Sequence, residues 1–186
     1  MGKVEVLMSV MMQNGEDIIK RTNIRSDVVV VNQCNYENKK ETLINDNMVK
    51  HINTTDRGLS KSRNLAIKES NGEYCLLCDD DEILEDDYVN KIEMGFSQIR
   101  DADIICFIVS REDKKYPNRK LRINYLTSLR ISSVQIVFKR RSIVDNGIKF
   151  DERFGAGSLN GSGEENIFLF DCLKKNLKVY YLPITI

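Results

Sequence analysis

The sequence predicts a single α/β domain with a mostly parallel central sheet flanked by helices. Short apolar runs alternate with stretches of helical length, which is typical of repeated βαβ units. Residues 74–78 are apolar throughout, as expected of a strand that is buried on both faces of a parallel sheet. The 186 residues are enough for one domain with a substantial core.

Seven runs are predicted to be strands and four stretches to be helices. In chain order, the predicted strands are residues 4–10, 28–32, 50–53, 74–78, 104–110, 135–139 and 179–182. The predicted helices cover about residues 17–22, 60–70, 86–99 and 164–175. Ser60 favours a helix start, and Asn71-Gly72 favours the end of that helix. Because no internal repeat or low-complexity linker interrupts the pattern, residues 1–186 are predicted to form one domain.

Composition and charge exclude several classes of protein. Basic and acidic residues both number 28, so the net charge predicts no nucleic acid or other polyanionic partner. No apolar run approaches the ~20 residues of a membrane-spanning helix. The amino-terminal residues lack the long apolar region of a secretory signal. The protein is therefore expected to be cytoplasmic.

The cysteines are expected to be reduced thiols, since an odd, scattered set without a signal peptide is typical of a reducing compartment. They are Cys34, Cys75, Cys78, Cys106 and Cys172. The spacing of Cys75 and Cys78 matches a metal-binding or redox pair, but no second pair accompanies it. Alternation along a strand also directs these two sulfur atoms to opposite faces, which argues against both roles.

The most informative feature is an acidic cluster, Asp79-Asp80-Asp81-Glu82, directly after the predicted buried strand. Adjacent carboxylates repel one another, so a counter-charge is expected nearby. In open α/β sheets, ligands bind beyond the carboxyl ends of the strands. The cluster is therefore either a site for a hard divalent cation, with phosphate oxygens completing the coordination shell, or a solvated acidic turn.

A second polar segment, residues 56–64, precedes the cluster and opens a predicted helix. Gly58 permits close backbone approach, and the free amides at a helix start attract anions. Arg63 lies near that start, where a cation opposes the helix dipole. An anionic partner is therefore expected for Arg63, either a bound ligand or a structural ion pair with Asp56 or the acidic cluster.

Four motifs, in the same order and with similar spacing, resemble those of the family 2 glycosyltransferases, which have the GT-A fold. The family runs G-x-S-x-A-R-N and G-x-Y, then D-x-D, F-D-E-x-F and G-E-D. The matching segments are Gly58-x-Ser60-x-x-Arg63-Asn64 with Gly72-Glu73-Tyr74, Asp79-Asp80-Asp81, Phe150-Asp151-Glu152-Arg153-Phe154 and Gly163-Glu164-Glu165. The resemblance implies a GT-A type nucleotide-diphospho-sugar transferase fold. It also implies inverting, metal-dependent transfer of a sugar from a nucleotide-diphosphate sugar to an acceptor hydroxyl.

The resemblance assigns roles to residues at the matching positions. Asp79 and Asp81 match the two aspartates of D-x-D, which in the family contact the ribose and a Mn²⁺ or Mg²⁺ ion that bridges the diphosphate. Glu165 matches the base that deprotonates the acceptor hydroxyl, and Glu164 is expected to orient the acceptor. The predicted contacts to the nucleotide-sugar are Asn32, Gln33, Gly58, Ser60, Arg63, Asn64, Asp79 and Asp80.

Three features depart from the family pattern. The second strand usually ends in an aspartate that contacts the base, whereas Asn32 and Gln33 supply amides, which also hydrogen-bond nucleobases. The base is usually an aspartate, and Glu165 is longer by one methylene, so its placement within ~3 Å of the acceptor hydroxyl decides its activity. Many relatives also continue beyond the point that corresponds to Ile186, with helices that shape the acceptor site.

Two other functions are alternatives to sugar transfer. A catalytically inactive module that binds a nucleotide-sugar or a partner would keep the same fold, and the changed end of the second strand favours it. A nucleotidyltransferase shares the acidic metal site but needs a Gly-rich basic loop after the first strand, which residues 11–15 do not supply. A calcium-binding EF-hand loop is excluded, because the sixth residue counted from Asp79 is Leu84 rather than glycine.

The resemblance further implies a glycan or a lipid-linked sugar as acceptor, in surface polysaccharide biosynthesis at the cytoplasmic face of a membrane. Residues 111–130 are strongly basic and are opposed only by Glu112 and Asp113. The basic residues are Arg111, Lys114, Lys115, Arg119, Lys120, Arg122 and Arg130. This segment is either an ordinary solvated loop or a surface that contacts anionic lipid or a phosphate-bearing acceptor.

Overall fold

The structure, a computed structural model, describes residues 3–13, 15–109, 117–158 and 160–186. The described strands are β1 Val4–Met11, β2 Asp27–Gln33, β3 Asn38–Ile44, β4 Asn47–Thr54, β5 Tyr74–Cys78, β6 Ile104–Ile108, β7 Leu121–Arg122, β8 Ile136–Lys139 and β9 Val179–Thr185. The helices are α1 Gly15–Arg21, α2 Leu59–Glu69, α3 Tyr88–Gln98, α4 Tyr125–Ser128, α5 Arg140–Val144 and α6 Glu164–Lys174, with a short 3-10 turn at Ser133–Gln135.

The strands form one mixed sheet in the order β3-β4-β2-β1-β5-β8-β6-β9-β7. The block β4-β2-β1-β5 is parallel throughout, as predicted for the first half of the chain. β8 is antiparallel to both of its neighbours, and antiparallel strands β3 and β7 form the two edges. The predicted α/β class is confirmed, and the parallel block carries the strand ends where the site is expected.

Helices cover both faces of this sheet, which gives two apolar cores. α1 and α3 pack on one face, through residues such as Ile18 and Ile92. α2, α5 and α6 pack on the other face, through residues such as Ala66, Ile143 and Phe168. Burial of such side chains is the dominant stabilising term. The face covered by α2 and α6 is also the face on which the motif residues meet.

The turn between α2 and β5 shows why the G-x-Y segment has a glycine. Backbone N–H groups of Asn71 and Gly72 both donate to the buried Glu5 carboxylate, each at 2.6 Å. A Cβ atom on Gly72 would lie 2.6 Å from Cβ of Glu5, too close for any other residue without movement. Gly72 therefore allows β5 to enter the sheet directly beside β1.

The predicted elements are all present, but several others were missed and one helix start was wrong. β3, β7, α4 and α5 were not predicted, because they are polar, very short or both. α2 begins at Leu59 with Gly58 as its N-cap residue, so Ser60 lies inside the first turn. Its hydroxyl donates to the backbone oxygen of Phe154 at 2.7 Å instead of capping the helix. Residues 110–116, including Arg111, Lys114 and Lys115, lie outside the described residues.

The five cysteines are free and buried, as expected of reduced thiols. Cys75 belongs to the core on the α2 face and Cys78 to the core on the α3 face, so the predicted opposite orientation is confirmed. Across the described part of the chain, none of the helices combines the length and the apolar character needed to cross a membrane.

Candidate active site

The acidic cluster lies directly after the last residue of β5, at the carboxyl edge of the parallel block. Its four members occupy different surroundings: Asp79 and Asp80 are half-buried, Asp81 is exposed and Glu82 is buried. Arg21, at the end of α1, donates to the backbone oxygen of Asp80 at 3.1 Å and lies 3.7 Å from its carboxylate. The cluster is therefore not a uniformly solvated acidic turn.

Arg63 joins this cluster to the start of α6. Its guanidinium donates to Oδ1 of Asp79 at 3.2 Å through one nitrogen and to Oε1 of Glu164 at 2.9 Å through the other. The same group lies 5.4 Å from the centre of the Phe150 ring, which is a cation–π contact. With only 3% of its side chain exposed, Arg63 is a buried cation held between two carboxylates, one of which was predicted.

The start of α6 presents two adjacent glutamates at the carboxyl edge of the sheet. Gly163 is the N-cap residue and has a φ of 95°, a left-handed conformation that favours glycine. Glu164 is buried against Arg63, whereas Glu165 is half-buried. Burial raises the pKa of the Glu165 carboxyl above its ordinary value, and the nearby charge of Glu164 raises it further, while Arg63 lowers it.

α2 also holds the segment that carries the F-D-E motif. The Asn64 amide donates to the backbone oxygen of Phe150 at 2.9 Å and accepts from the backbone N–H of Phe150 at 2.8 Å. Ser60 binds the backbone oxygen of Phe154 in the same manner. Ser60 and Asn64 therefore bind this chain segment, and the segment in turn places the Phe150 ring beneath Arg63.

Gly155, which ends the F-D-E segment, fills a narrow space between α2 and α6. It has a φ of 99°, and a Cβ atom there would lie 3.2 Å from Oγ of Ser60 and 3.3 Å from Cδ of Glu164. Any larger residue would therefore push against the buried glutamate. The sequence alone gives this glycine no role, because its neighbours come from distant parts of the chain.

The geometry thus brings together residues from all four recognised motifs. The sequence also matches the family profile described as "Glycosyl transferase family 2" over residues 6–157. The chain belongs to this family. The matched stretch contains the Gly58, D-x-D and F-D-E segments, while Gly163-Glu164-Glu165 follows it and is connected to them by the Arg63–Glu164 contact. A search of curated proteins finds no match.

Solved structures confirm the fold of this family 2 domain. S. aureus TarS matches with a TM-score of 0.68 and 18% identity over 97% of this chain and 60% of that chain. TarS in complex with UDP-GlcNAc matches equally well, over 99% of this chain and 58% of that one. The mannosyltransferase PcManGT from Pyrobaculum calidifontis, with GDP-Man and Mn²⁺, has a TM-score of 0.62 at 15% identity and is covered over 55% of its length. The chain therefore spans just over half of each of these solved chains, in the case of TarS the 1–349 segment, and 37% of a longer solved TarS chain.

The amides at the end of β2 hold neighbouring loops of the family 2 domain together. The Asn32 side chain is buried, donates to Oδ1 of Asn53 at 2.8 Å, and exchanges two hydrogen bonds with the backbone of Gln13. Oε1 of Gln33 accepts from the backbone N–H of Gly58 at 2.7 Å. These contacts position the start of α2 beside the end of β2, and a role of Asn32 and Gln33 in base binding stays a prediction.

The carboxylate of Glu37, which contacts Thr55 beyond the end of β4, was not predicted from the sequence. Oε1 of Glu37 accepts hydrogen bonds from the backbone and hydroxyl of Thr55, and the backbone contact in particular lowers the pKa of the Glu37 carboxyl. Nearby, the Arg57 guanidinium donates to Oδ1 of Asn35 at 2.9 Å. No motif includes these residues. Only the pairing of β2 with β4, which places the ends of the two strands side by side, could have predicted these contacts.

Proposed function

We propose that this family 2 domain is an inverting, metal-dependent glycosyltransferase. It would move a sugar from a nucleotide-diphosphate sugar to an acceptor hydroxyl. The observation that carries the proposal is the Arg63 bridge, because it brings the predicted donor residue Asp79 and the predicted acceptor residue Glu164 to one buried cation. When a donor site and an acceptor site share one side chain, the two substrates are held close to each other, as a transfer reaction requires.

The donor side of the proposed site offers two carboxylates to a divalent cation. Within the described residues, no group of three or more His, Cys, Asp or Glu side chains converges as a metal site. The predicted pair, Asp79 and Asp81, nevertheless fits Mn²⁺ or Mg²⁺, since these ions prefer carboxylate oxygens and accept phosphate and water as further ligands. Asp81 is exposed and has no side-chain hydrogen bond or ion pair with a described residue. When bound, the ion would offset the charge on the departing diphosphate.

The acceptor side depends on the two glutamates of α6. We assign Glu165 as the base, since a carboxyl with a raised pKa takes a proton from a hydroxyl more readily than an ordinary one. Glu164, held at 2.9 Å by Arg63, would orient the acceptor. Attack on the anomeric carbon from the side opposite the diphosphate inverts the configuration of the sugar.

The donor base, acceptor and location are also proposals. Related structures carry UDP-GlcNAc or GDP-Man, so UDP-sugars and GDP-sugars are the first donors to test. We propose a glycan or lipid-linked sugar as the acceptor, in surface polysaccharide biosynthesis on the cytoplasmic side of a membrane. Asn32, Gln33, Gly58, Ser60, Arg63, Asn64, Asp79 and Asp80 remain the proposed contacts to the nucleotide-sugar.

A thermal-shift screen of nucleotide-sugars, with and without Mn²⁺, tests the donor site. A ligand that binds only the folded state raises the melting temperature, so we expect a shift with one nucleotide-sugar that is larger with Mn²⁺. Asp79→Asn should abolish the Mn²⁺-dependent part. Asp145→Asn, an exposed aspartate at the end of α5, is the matched control and should keep it. Absence of a metal-dependent shift with every donor would contradict the proposal.

Transfer and binding are separated by the Glu165→Gln variant. We expect this variant to keep the donor-induced thermal shift but to lose about 10²–10⁴-fold in turnover, which is the usual contribution of a general base. Donor hydrolysis and transfer to added acceptor glycans provide the measurements. Equal turnover in Glu165→Gln and the wild type would reject Glu165 as the base. Donor binding without turnover in the wild type would support the inactive binding module instead.

A further inference from the structure

The short helix α4 turns its apolar residues outward. Ser128 is fully buried, whereas Tyr125, Leu126 and Leu129 are 50%, 79% and 56% exposed. Leu126 and Tyr125 lie three and four residues before Leu129, and residues at these spacings are neighbours on a helix surface, so the three side chains form a single exposed apolar face. Surface helices of globular proteins ordinarily bury their leucines. The outward orientation of α4 therefore leaves an apolar surface that the described residues do not cover.

Specific contacts hold α4 in this orientation. Oδ1 of Asn124 accepts from the backbone N–H groups of Leu126 and Thr127, both at 3.0 Å, while the Thr127 hydroxyl accepts from the backbone N–H of Asn124 at 2.8 Å. This reciprocal capping box defines where the helix begins. The Tyr125 ring packs edge-on against Phe170 of α6, with 5.3 Å between ring centres. The outward leucines are thus presented by a defined structure.

Four cations flank this apolar face along the sequence, and residues 117–130 contain no acidic residue. The cations are the exposed side chains of Arg119, Lys120, Arg122 and Arg130. None of them forms a salt bridge with any residue in the described ranges, although most other exposed arginines of the protein do, such as Arg25 and Arg153. A concentrated positive charge beside exposed leucines is complementary to the headgroups and acyl chains of an anionic bilayer.

We infer that α4 and its flanking cations, Arg119, Lys120, Arg122 and Arg130, form a docking surface for an anionic membrane. A soluble polyphosphate would use the cations but leave the leucines exposed to water. A second copy of the chain would bring two sets of like charges together, which is unfavourable. Because α4 packs on α6, which begins at Glu164, docking would place the acceptor side near a lipid-linked sugar, and this purpose rests on the proposed function.

Flotation with lipid vesicles tests the surface without any nucleotide-sugar. We expect the protein to float with vesicles of phosphatidylcholine mixed with phosphatidylglycerol, and much less with phosphatidylcholine alone. High salt should weaken the binding, since it screens the cations. No flotation with the anionic vesicles would overturn the inference. Binding that is equal for both lipid compositions would overturn it as well.

Paired substitutions separate the two parts of the surface. Leu126→Ser with Leu129→Ser, and separately Arg122→Gln with Arg130→Gln, should each lower vesicle binding by about tenfold or more. Leu43→Ser is the matched apolar control, because Leu43 is 69% exposed on β3, at the opposite edge of the sheet from β7. Lys61→Gln with Lys149→Gln is the matched charge control, because both residues are exposed at a cavity beside α2 and lie outside residues 117–130. Both controls should bind like the wild type.

Three further results would overturn the inference. The first is vesicle binding that survives both paired substitutions. The second is a dimer in solution that only the leucine pair disrupts. The third is competition for vesicle binding by inorganic polyphosphate that is equally strong in the wild type and in the leucine variant. Glu165→Gln should float like the wild type, since that residue belongs to the proposed chemistry and not to this surface. Loss of donor binding with intact flotation would reject the proposed function alone, and the reverse would reject the docking surface alone.

Discussion

The two carboxylates that bind Arg63 differ in how they face solvent. The Asp79 side chain is 34% exposed at the end of β5, whereas Glu164 is 8% exposed at the start of α6. A half-exposed carboxylate can exchange its partner for a ligand at low cost. A buried one cannot, because an unpaired buried charge is strongly unfavourable. The Arg63 guanidinium therefore has two different partners. Glu164, on the acceptor side, is a structural anchor, and Asp79, on the donor side, is an exchangeable contact.

Removing the shared cation should have the largest effect. Arg63→Met leaves Glu164 buried without a counter-charge, so we expect a loss of about 3–5 kcal/mol in the free energy of unfolding. Urea denaturation measures the loss. Arg153→Met is the matched control, since Arg153 is 80% exposed in its pair with Asp151 and its loss should change the free energy of unfolding far less. Similar losses in both variants would show that Arg63 is not an important ion-pair centre.

The anchor is tested by Glu164→Gln. Here Arg63 loses its buried partner but keeps Asp79, so a smaller loss of about 1–3 kcal/mol is expected from urea denaturation. The Mn²⁺-dependent thermal shift with the donor should persist, because the donor side is intact. A variant as stable as the wild type would mean that Glu164 is not the anchor.

The exchangeable contact is tested by Asp79→Asn. Because this carboxylate is partly exposed, we expect the free energy of unfolding to change by less than about 1 kcal/mol. The Mn²⁺-dependent donor shift should nevertheless disappear. If the variant instead loses as much stability as Glu164→Gln, the two carboxylates are equivalent and the contrast between them is wrong.

The smallest effect is expected at Glu165, and it has the opposite sign. Its pKa is raised in the folded state, so its contribution to stability is full below the unfolded pKa and is lost as pH rises through the folded pKa. Glu165→Gln should therefore raise the melting temperature slightly at neutral pH and not at acid pH. Turnover by the wild type should rise as pH passes through the same raised pKa, since only the ionised carboxylate accepts a proton. An acid limb at the ordinary glutamate pKa would contradict this.

Local sequence patterns predicted the elements that are buried on both faces. β5 has the predicted bounds, Tyr74–Cys78, because an apolar run of strand length has few alternatives in a sheet. β3, Asn38–Ile44, was missed because it is an exposed edge strand with polar side chains, and only its pairing with β4 defines it. α4 was missed because a four-residue helix has no periodicity to detect.

The same contrast holds within the candidate site. The motifs identified Asp79, Arg63 and Glu164 individually as candidate site residues. The resemblance assigned the chain to the family 2 glycosyltransferases, and that family is confirmed. A pair between Arg63 and the acidic cluster, 16 residues away at Asp79, was one of the predicted alternatives. The contact with Glu164 was not predictable, since Glu164 lies 101 residues from Arg63 along the chain. Phe150 and Gly155 depend even more on tertiary structure, because their roles come only from what packs against them.

By itself, the sequence determined the α/β class, the strands of the parallel block, the free cysteines and the identity of the motif residues. These follow from apolar periodicity and residue chemistry, which act over a few neighbouring positions. Tertiary structure alone decided which carboxylates share Arg63, which of them is buried, and which side of α4 faces outward. Those outcomes depend on long-range packing, because burial and charge pairing are set by what the folded chain brings together.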